Sequence, residues 1–184
     1  LVEACCSGDH AAAERRLAPL RAIQGPLFDR LGPMPYVALQ SANDAANPHG
    51  IRHYSKAGFV PALTEAVIDE VSQSFLGAAP GAFGYVFQQA GGQVNRVAAD
   101  ATAFPNRSSA YWIMVMANWS EPAEDESRKA AARAAWKGLE PHTRGFYVNS
   151  ATERDDADVR SNYGANHARL VALKDRYDPG NQFR

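Results

Sequence analysis

Apolar residues fall at Leu63, Val67, Val71 and Phe75, one per helical turn, and Pro61 suits a first turn. This pattern predicts a helix over residues 59–75, ended by the small-residue stretch 77–81. An earlier helix is predicted over residues 9–23, where Asp9 is a cap and Ala13, Leu17 and Leu20 recur at four- and three-residue intervals. Pro19 inside it predicts a kink or an early end. Residues 25–35 are turn-rich, with Phe28 and Leu31 as anchors. A short strand is expected over 36–40, and an Asn-, Asp- and Pro-rich loop over 42–50.

The period then changes. Phe83, Tyr85 and Phe87 alternate within residues 82–88, Gly91 and Gly92 follow, and a second strand over 93–98 would complete a β-hairpin. Residues 111–119 are apolar at odd and even positions alike, which predicts a central strand covered on both faces. Ser120 and Pro122 open an Ala-rich helix to about Gly138, and residues 146–150 read as a short strand. Residues 152–155 resemble a capping box, with helix running on towards Arg176 until Asp178, Pro179 and Gly180 stop it. The order implies one α+β domain: an antiparallel β-sheet with helices packed mainly on one face.

Composition narrows the class. Hydrophobic residues make up 46% of the 184, enough for a real core, and nineteen Lys and Arg oppose twenty Asp and Glu for a net charge of -1. A nucleic-acid footprint needs a basic surplus that is absent here. The longest strongly apolar run, 111–117, is too short to span a membrane. No targeting segment is visible, so a cytoplasmic location is expected, although the opening without Met suggests a start partway through a longer sequence. Abundant Ala and an excess of Arg over Lys suit a bacterial source. Nucleotide-loop, metalloprotease and nucleophile-elbow motifs are all missing, and the five histidines are scattered, so no metal site is assigned.

The C-terminal segment carries more information. Val159, Tyr163, Asn166, Leu170, Leu173 and Tyr177 fall on one helical face. An amide in that stripe must find partners, so Asn166 either ties the helix to nearby backbone or supports a ligand or cofactor. Gly164, one turn away, would let another element approach. Tyr147 and Asn149 share a side of the preceding strand, which is either a site wall or an ordinary strand end. Gln88, Asn106 and Arg107 are candidate pocket polars, or a strand-end amide and surface side chains. Tyr85 and Trp112 line a cavity or belong to the core.

Tyr163-Gly164-Ala165-Asn166-His167-Ala168-Arg169-Leu170, followed by Leu173-Lys174 and by Tyr177-Asp178-Pro179-Gly180-Asn181-Gln182-Phe183-Arg184, resembles the C-terminal signature of the berberine bridge enzyme-like, FAD-linked oxidases. That signature reads roughly Y-G-x-N-x-x-R-L-x-x-L-K-x-x-Y-D-P-x-N-x-F-R. Pro33 to Tyr36, Gly91-Gly92, Thr102 to Pro105, Trp119 and Gly145 to Asn149 extend the likeness over nearly the whole chain.

The resemblance implies a substrate-binding portion, residues 1–145, and a Y-x-N strand with C-terminal helix and tail, residues 146–184, that returns towards an FAD domain outside this sequence. FAD is then held mainly by that missing domain or subunit, whose covalent His and Cys attachments are not Cys5 and Cys6. The implied reaction passes hydride from a sugar, alcohol or secondary metabolite to flavin N5, with O2 as acceptor. On this basis Tyr147, Asn149, Asn166 and Tyr163 are cofactor-side residues, and Gln88, Asn106 and Arg107 face the small-molecule substrate. Many relatives carry a tyrosine base after the Y-x-N asparagine; Ser150 stands there in this chain and takes the catalytic position, as a relay rather than a strong base. Asn106 stands where relatives often have His. The alternatives are a non-catalytic binding module and an orphaned fragment with an open apolar face, and either leaves room for a homo-oligomer.

Overall fold

The computed structural model describes residues 1–150 and 156–183, so the expected capping box at 152–155 lies outside the described residues. The chain divides into two compact units, Leu1–His49 and Gly50–Arg184. In the first, helix α1 (His10–Arg21) starts where the Asp9 carboxylate accepts a 2.8 Å bond from the Ala12 amide. Pro19 sits in its last turn, and the helix ends two residues later. The Arg21 guanidinium reaches Glu14 at 2.5 Å, Asp29 at 3.2 Å and the Leu31 carbonyl at 2.6 Å, fastening the turn-rich segment to the helix end. Leu31 is half-buried, whereas Phe28 is exposed, with the Arg30 guanidinium 5.3 Å from its ring centre. The strand expected over 36–40 is instead a helical turn, α2 (Tyr36–Gln40). The first unit contains no strand among the described residues, and the local bonds from Leu39 to the Pro35 carbonyl and from Ser41 to the Val37 carbonyl serve the backbone of α2.

The second unit is built on a three-stranded antiparallel sheet in the order β1-β3-β2, with β1 (Arg52–Val60), β2 (Gly84–Gln89) and β3 (Tyr111–Trp119). β3 is central, as its apolar character predicts. β1 corrects the sequence reading: residues 59 and 60 end a strand, and the following helix α3 (Glu65–Gly77) begins only at the Thr64 cap, whose hydroxyl accepts from the Val67 amide. The hairpin is a second correction. β2 pairs with β3 rather than with its own successor, and residues 93–96 form a short helix, α4 (Gln93–Arg96). Gly91 and Gly92 both have positive φ, 148° and 55°, and turn the chain into that helix instead of into a return strand.

The register places Tyr54, Val60, Ile113, Val115, Ala117, Trp119, Tyr85 and Phe87 on one face of the sheet. Helix α5 (Asp125–Leu139) packs there through Ala132, Ala135, Trp136 and Leu139, with Val67 of α3 completing the core. Ile113, Val115, Val60 and Leu139 are wholly buried, each contributing about 1.5–3 kcal/mol by leaving water. Gly58 admits the Trp136 ring, because a Cβ there would lie 3.1 Å from the ring edge and 2.9 Å from the Thr143 side chain. Asp125 opens α5, accepting two 2.5 Å bonds from Arg52 and one of 2.7 Å from the Trp119 indole, so one carboxylate joins the first residue of β1, the last of β3 and the helix start. Those bonds, from Arg52 first and then Trp119, hold its carboxyl down at about 2.

The expected strand over 146–150 is a 3-10 turn, Val148–Ser150, after a single bridge between Phe59 and Arg144. The C-terminal helix is broken into α6 (Asp156–Tyr163), a 3-10 turn, Gly164–Asn166, and α7 (His167–Tyr177). Gly164 supplies the break with φ of 48°, and nothing lies within 4 Å of a Cβ built there, so its use is backbone freedom and not close approach.

Candidate functional site

The sheet face away from α5 carries a mixed set of polar and apolar side chains. Along β3 the residues Trp112, Met114, Met116 and Asn118 are half-buried, alternating with the fully buried set. The expectation of a strand covered on both faces therefore holds in full on the α5 side and only in part on this one. Register brings Phe59 and Gln88 alongside Trp112, Ala57 and Val86 alongside Met114, Ser55 and Gly84 alongside Met116, and His53 alongside Asn118. Apolar side chains hold the middle and polar ones the ends. The share contributed by β1 is mostly buried, whereas Val86 and Gln88 of β2 are exposed. The Trp112 indole Nε1 is buried without a hydrogen-bond partner among the described residues. Tyr85, by contrast, faces the helices: its hydroxyl shares a 2.5 Å bond with Ser74, and burial pushes its ionisation up.

Two walls flank this face. In the first, the Arg107 guanidinium donates to the carbonyls of Phe104 (3.1 Å) and Val94 (3.0 Å) and to the Thr102 hydroxyl (2.6 Å). Its guanidinium also lies 4.8 Å from the centre of the Phe104 ring, which meets Phe59 edge-on at 5.5 Å. Arg107 therefore spends its fork on shaping residues 94–107. Buried Asn166 donates to the carbonyls of Ala99 (2.7 Å) and Thr102 (3.2 Å), tying the same loop to the start of α7. A shallow depression of about 110 Å³ beside it is lined by Thr102, Ala103, Asn166, Arg169, Leu170 and Leu173.

The second wall is the turn after Gly145, which lies against β1. Gly145 has φ of 53°, and a Cβ there would fall 2.5 Å from the Asn106 oxygen and 2.6 Å from the Asn162 oxygen. Asn162, buried on α6, accepts from the Phe146 amide at 2.8 Å and from the Asn106 side chain at 3.3 Å. Asn106 is thus joined to the turn that carries Tyr147, Asn149 and Ser150. The Tyr147 ring is exposed, and its hydroxyl accepts a 2.8 Å bond from the Asn149 amide. The Ser150 hydroxyl donates to the Tyr147 carbonyl at 2.9 Å. Tyr147 and Asn149 meet, as their spacing suggests, although through a turn and not along a strand. Tyr163 is half-buried at the end of α6, and Gln88 is exposed on β2, alongside Trp112.

Sequence reading missed His53. Its ring is exposed, with Nδ1 2.7 Å from the Asn118 side-chain oxygen and Nε2 3.2 Å from the Ser55 hydroxyl. The signal lay in a strand hidden between Gly50 and Pro61, where every second side chain of a mixed sequence faces this side. Among the described residues, no group of His, Cys, Asp and Glu is arranged to hold a metal ion, and no helix is long and apolar enough to cross a membrane.

An antiparallel three-stranded sheet with helices packed around it matches the substrate-domain architecture of FAD-linked oxidases. Residues 147–184 match the family described as berberine and berberine like, and the relatives found along the rest of the chain are FAD-linked oxidoreductases. An uncharacterized FAD-linked oxidoreductase of Bacillus subtilis, YgaK, is 36% identical over 66% of this chain and 27% of its own length. An FAD-linked oxidoreductase of Dictyostelium discoideum is 24% identical over 100% of this chain and 41% of its own. The chain thus spans well under half the length of these relatives. Among solved structures, aclacinomycin oxidoreductase aligns with a TM-score of 0.60 at 26% identity, covering 72% of this chain and 31% of that one. The Physcomitrella patens BBE-like 1 protein shares the fold, with a TM-score of 0.75 at 21% identity over 96% of this chain and 41% of its own.

Proposed function

We propose that this chain is the substrate-binding part of an FAD-dependent oxidoreductase that oxidises a small organic molecule, a sugar, alcohol or secondary metabolite. The reading places most of the FAD in a separate portion or subunit. Bound there, FAD would supply a two-electron acceptor at N5 and pass the electrons on to O2. The observation that carries the proposal is the half-open β2–β3 face, with the indole N–H of Trp112 buried and, among the described residues, unpartnered beside exposed Gln88. An unpaired buried donor costs about 1–3 kcal/mol, and a bound acceptor removes that cost.

Residues of the 145–150 turn fit the edge of a cofactor held from outside. Tyr147 is exposed with its phenolic proton still to donate, and Asn149 offers a carbonyl oxygen in addition to the amide it commits to Tyr147. Tyr163 and Asn166 act from behind, Asn166 by fixing the 99–102 loop. Asn106 and Arg107 shape the substrate side in the same indirect way, and Gln88 meets the substrate itself. Ser150, donating to backbone, passes a proton only after releasing that bond. The test is to produce the chain together with its FAD-binding portion, record bound flavin by absorbance, and add sugars and benzylic alcohols without O2. Bleaching of the flavin band on addition supports the reading. A flavin-free complex, or bound flavin that no such compound reduces, overturns it.

A further inference from the structure

We propose that His53 is the catalytic proton acceptor on the half-open sheet face, with Asn118 as the positioning residue that sets its tautomer. The inference rests on the reading of that face as a substrate wall. Its grounds are geometric. The Asn118 oxygen, 2.7 Å from Nδ1, can only accept, so Nδ1 carries the ring proton and Nε2 is left with its lone pair. At Nε2 the partner is the Ser55 hydroxyl, 3.2 Å away, a long bond that a substrate hydroxyl can replace. A base oriented by a third side chain is the arrangement that activates hydroxyl groups in many unrelated sites.

Elimination points the same way. The other side chains that the register puts on this face are Ser55, Ala57, Phe59, Val86, Gln88, Trp112, Met114, Met116 and Asn118, and none takes up a proton near neutrality. Ser150 has its hydroxyl committed to the Tyr147 carbonyl, and the Tyr147 phenol is joined to Asn149. His53 is exposed, so both substrate and water reach it. In the step assigned to it, Nε2 would take the proton from the oxygen of an H–C–O–H group, and oxidised flavin, where bound, would accept the hydride from its carbon. The C–H and O–H bonds break, the carbonyl π bond and an N–H bond form, the alcohol is oxidised and the flavin reduced. The imidazolium then returns its proton to water.

Two measurements test this. In the chain with 15N-labelled histidine, long-range proton–nitrogen correlation should find the His53 proton on Nδ1, and Asn118→Leu should shift it towards Nε2. In the flavin-loaded protein, with D-glucose and benzyl alcohol as probes, His53→Gln should slow anaerobic flavin reduction about 10²–10⁴-fold while half-saturation stays near the wild-type concentration. Asn118→Leu should slow it less, in step with the tautomer shift. A proton on Nε2 in the wild type, or reduction of His53→Gln at the wild-type rate, overturns the assignment and leaves the functional reading standing. A wild-type holoprotein that no sugar or benzylic alcohol reduces overturns both.

Discussion

The side-chain oxygen of Asn162 accepts a 2.8 Å hydrogen bond from the backbone amide of Phe146, joining helix α6 to the turn that carries Tyr147 and Asn149. Both partners are buried, and the same oxygen also receives the Asn106 amide at 3.3 Å. Replacing Asn162 by Leu removes the acceptor of both bonds, and the expected loss is about 1–3 kcal/mol in urea denaturation. Gly145→Ala should cost a similar amount, since it combines a positive φ with a Cβ 2.5 Å from the Asn106 oxygen. The two substitutions disturb one cluster, so the double variant should lose less than the sum. An additive double variant would mean that the cluster is not a unit.

Asp125 makes stability depend on acid. Its carboxyl is held at about 2 against an ordinary value of 3.8, by Arg52 and then Trp119. A folded-state value below the unfolded one contributes stability that is complete above the unfolded value and lost as pH falls towards the folded one. Between pH 4 and 2 the urea midpoint of the wild-type chain should therefore drop more steeply than that of Asp125→Asn. Near pH 7 the variant should be the less stable of the two, and the gap should close below pH 2. Parallel pH profiles would remove Asp125 from the account.

What the sequence made legible was governed by strong periodicity. β3 is apolar throughout and α5 keeps small or apolar residues on one face, at Ala132, Ala135, Trp136 and Leu139, so the existence of both elements and the central place of β3 were legible. β1 was not legible, because a strand of Arg, His, Tyr, Ser, Lys, Ala, Gly, Phe and Val owes its burial to what covers it: Trp136 enters over Gly58, and Phe104 covers Phe59. The 146–150 turn failed for a related reason. Alternation of Tyr147 and Asn149 fits a strand, but the amide reaching back to the phenol and the Ser150 hydroxyl reaching the Tyr147 carbonyl stabilise a tight turn. The amide of Asn166 was visible as an anomaly on a helical stripe. Only the structure shows its two carbonyl partners, 64 and 67 residues away in the chain.

Arg107 is expected to act through loop shape. Lysine at this position keeps the charge but cannot reach the Phe104 and Val94 carbonyls and the Thr102 hydroxyl together. Two of the three bonds are exposed, so Arg107→Lys should cost only about 1 kcal/mol of global stability. The larger effect should be local, as faster proteolytic cleavage within residues 94–107. Thr102→Val should reproduce part of it by removing the shortest of the three bonds. Equal cleavage rates in wild type and Arg107→Lys would show that the loop is held by Asn166 alone.

Trp112 separates a packing role from a binding role. Its Nε1 is buried and unpartnered among the described residues, so the ligand-free protein carries an unsatisfied donor. Trp112→Phe removes the donor and also some apolar contact, two effects of opposite sign. Losing the unsatisfied N–H favours the variant by about 1–3 kcal/mol, and the smaller ring gives back about 1–2 kcal/mol through the space it leaves. The ligand-free variant should therefore fall between about 1 kcal/mol less and about 2 kcal/mol more stable than the wild type, where an ordinary buried tryptophan would lose more. Binding should respond differently. If a substrate oxygen meets this N–H, Trp112→Phe forfeits that bond, and titration of the flavin-loaded protein should show about tenfold weaker affinity. Unchanged stability with unchanged affinity would make Trp112 a wall residue, and substrate recognition would then rest on Gln88 and the polar end at His53 and Asn118.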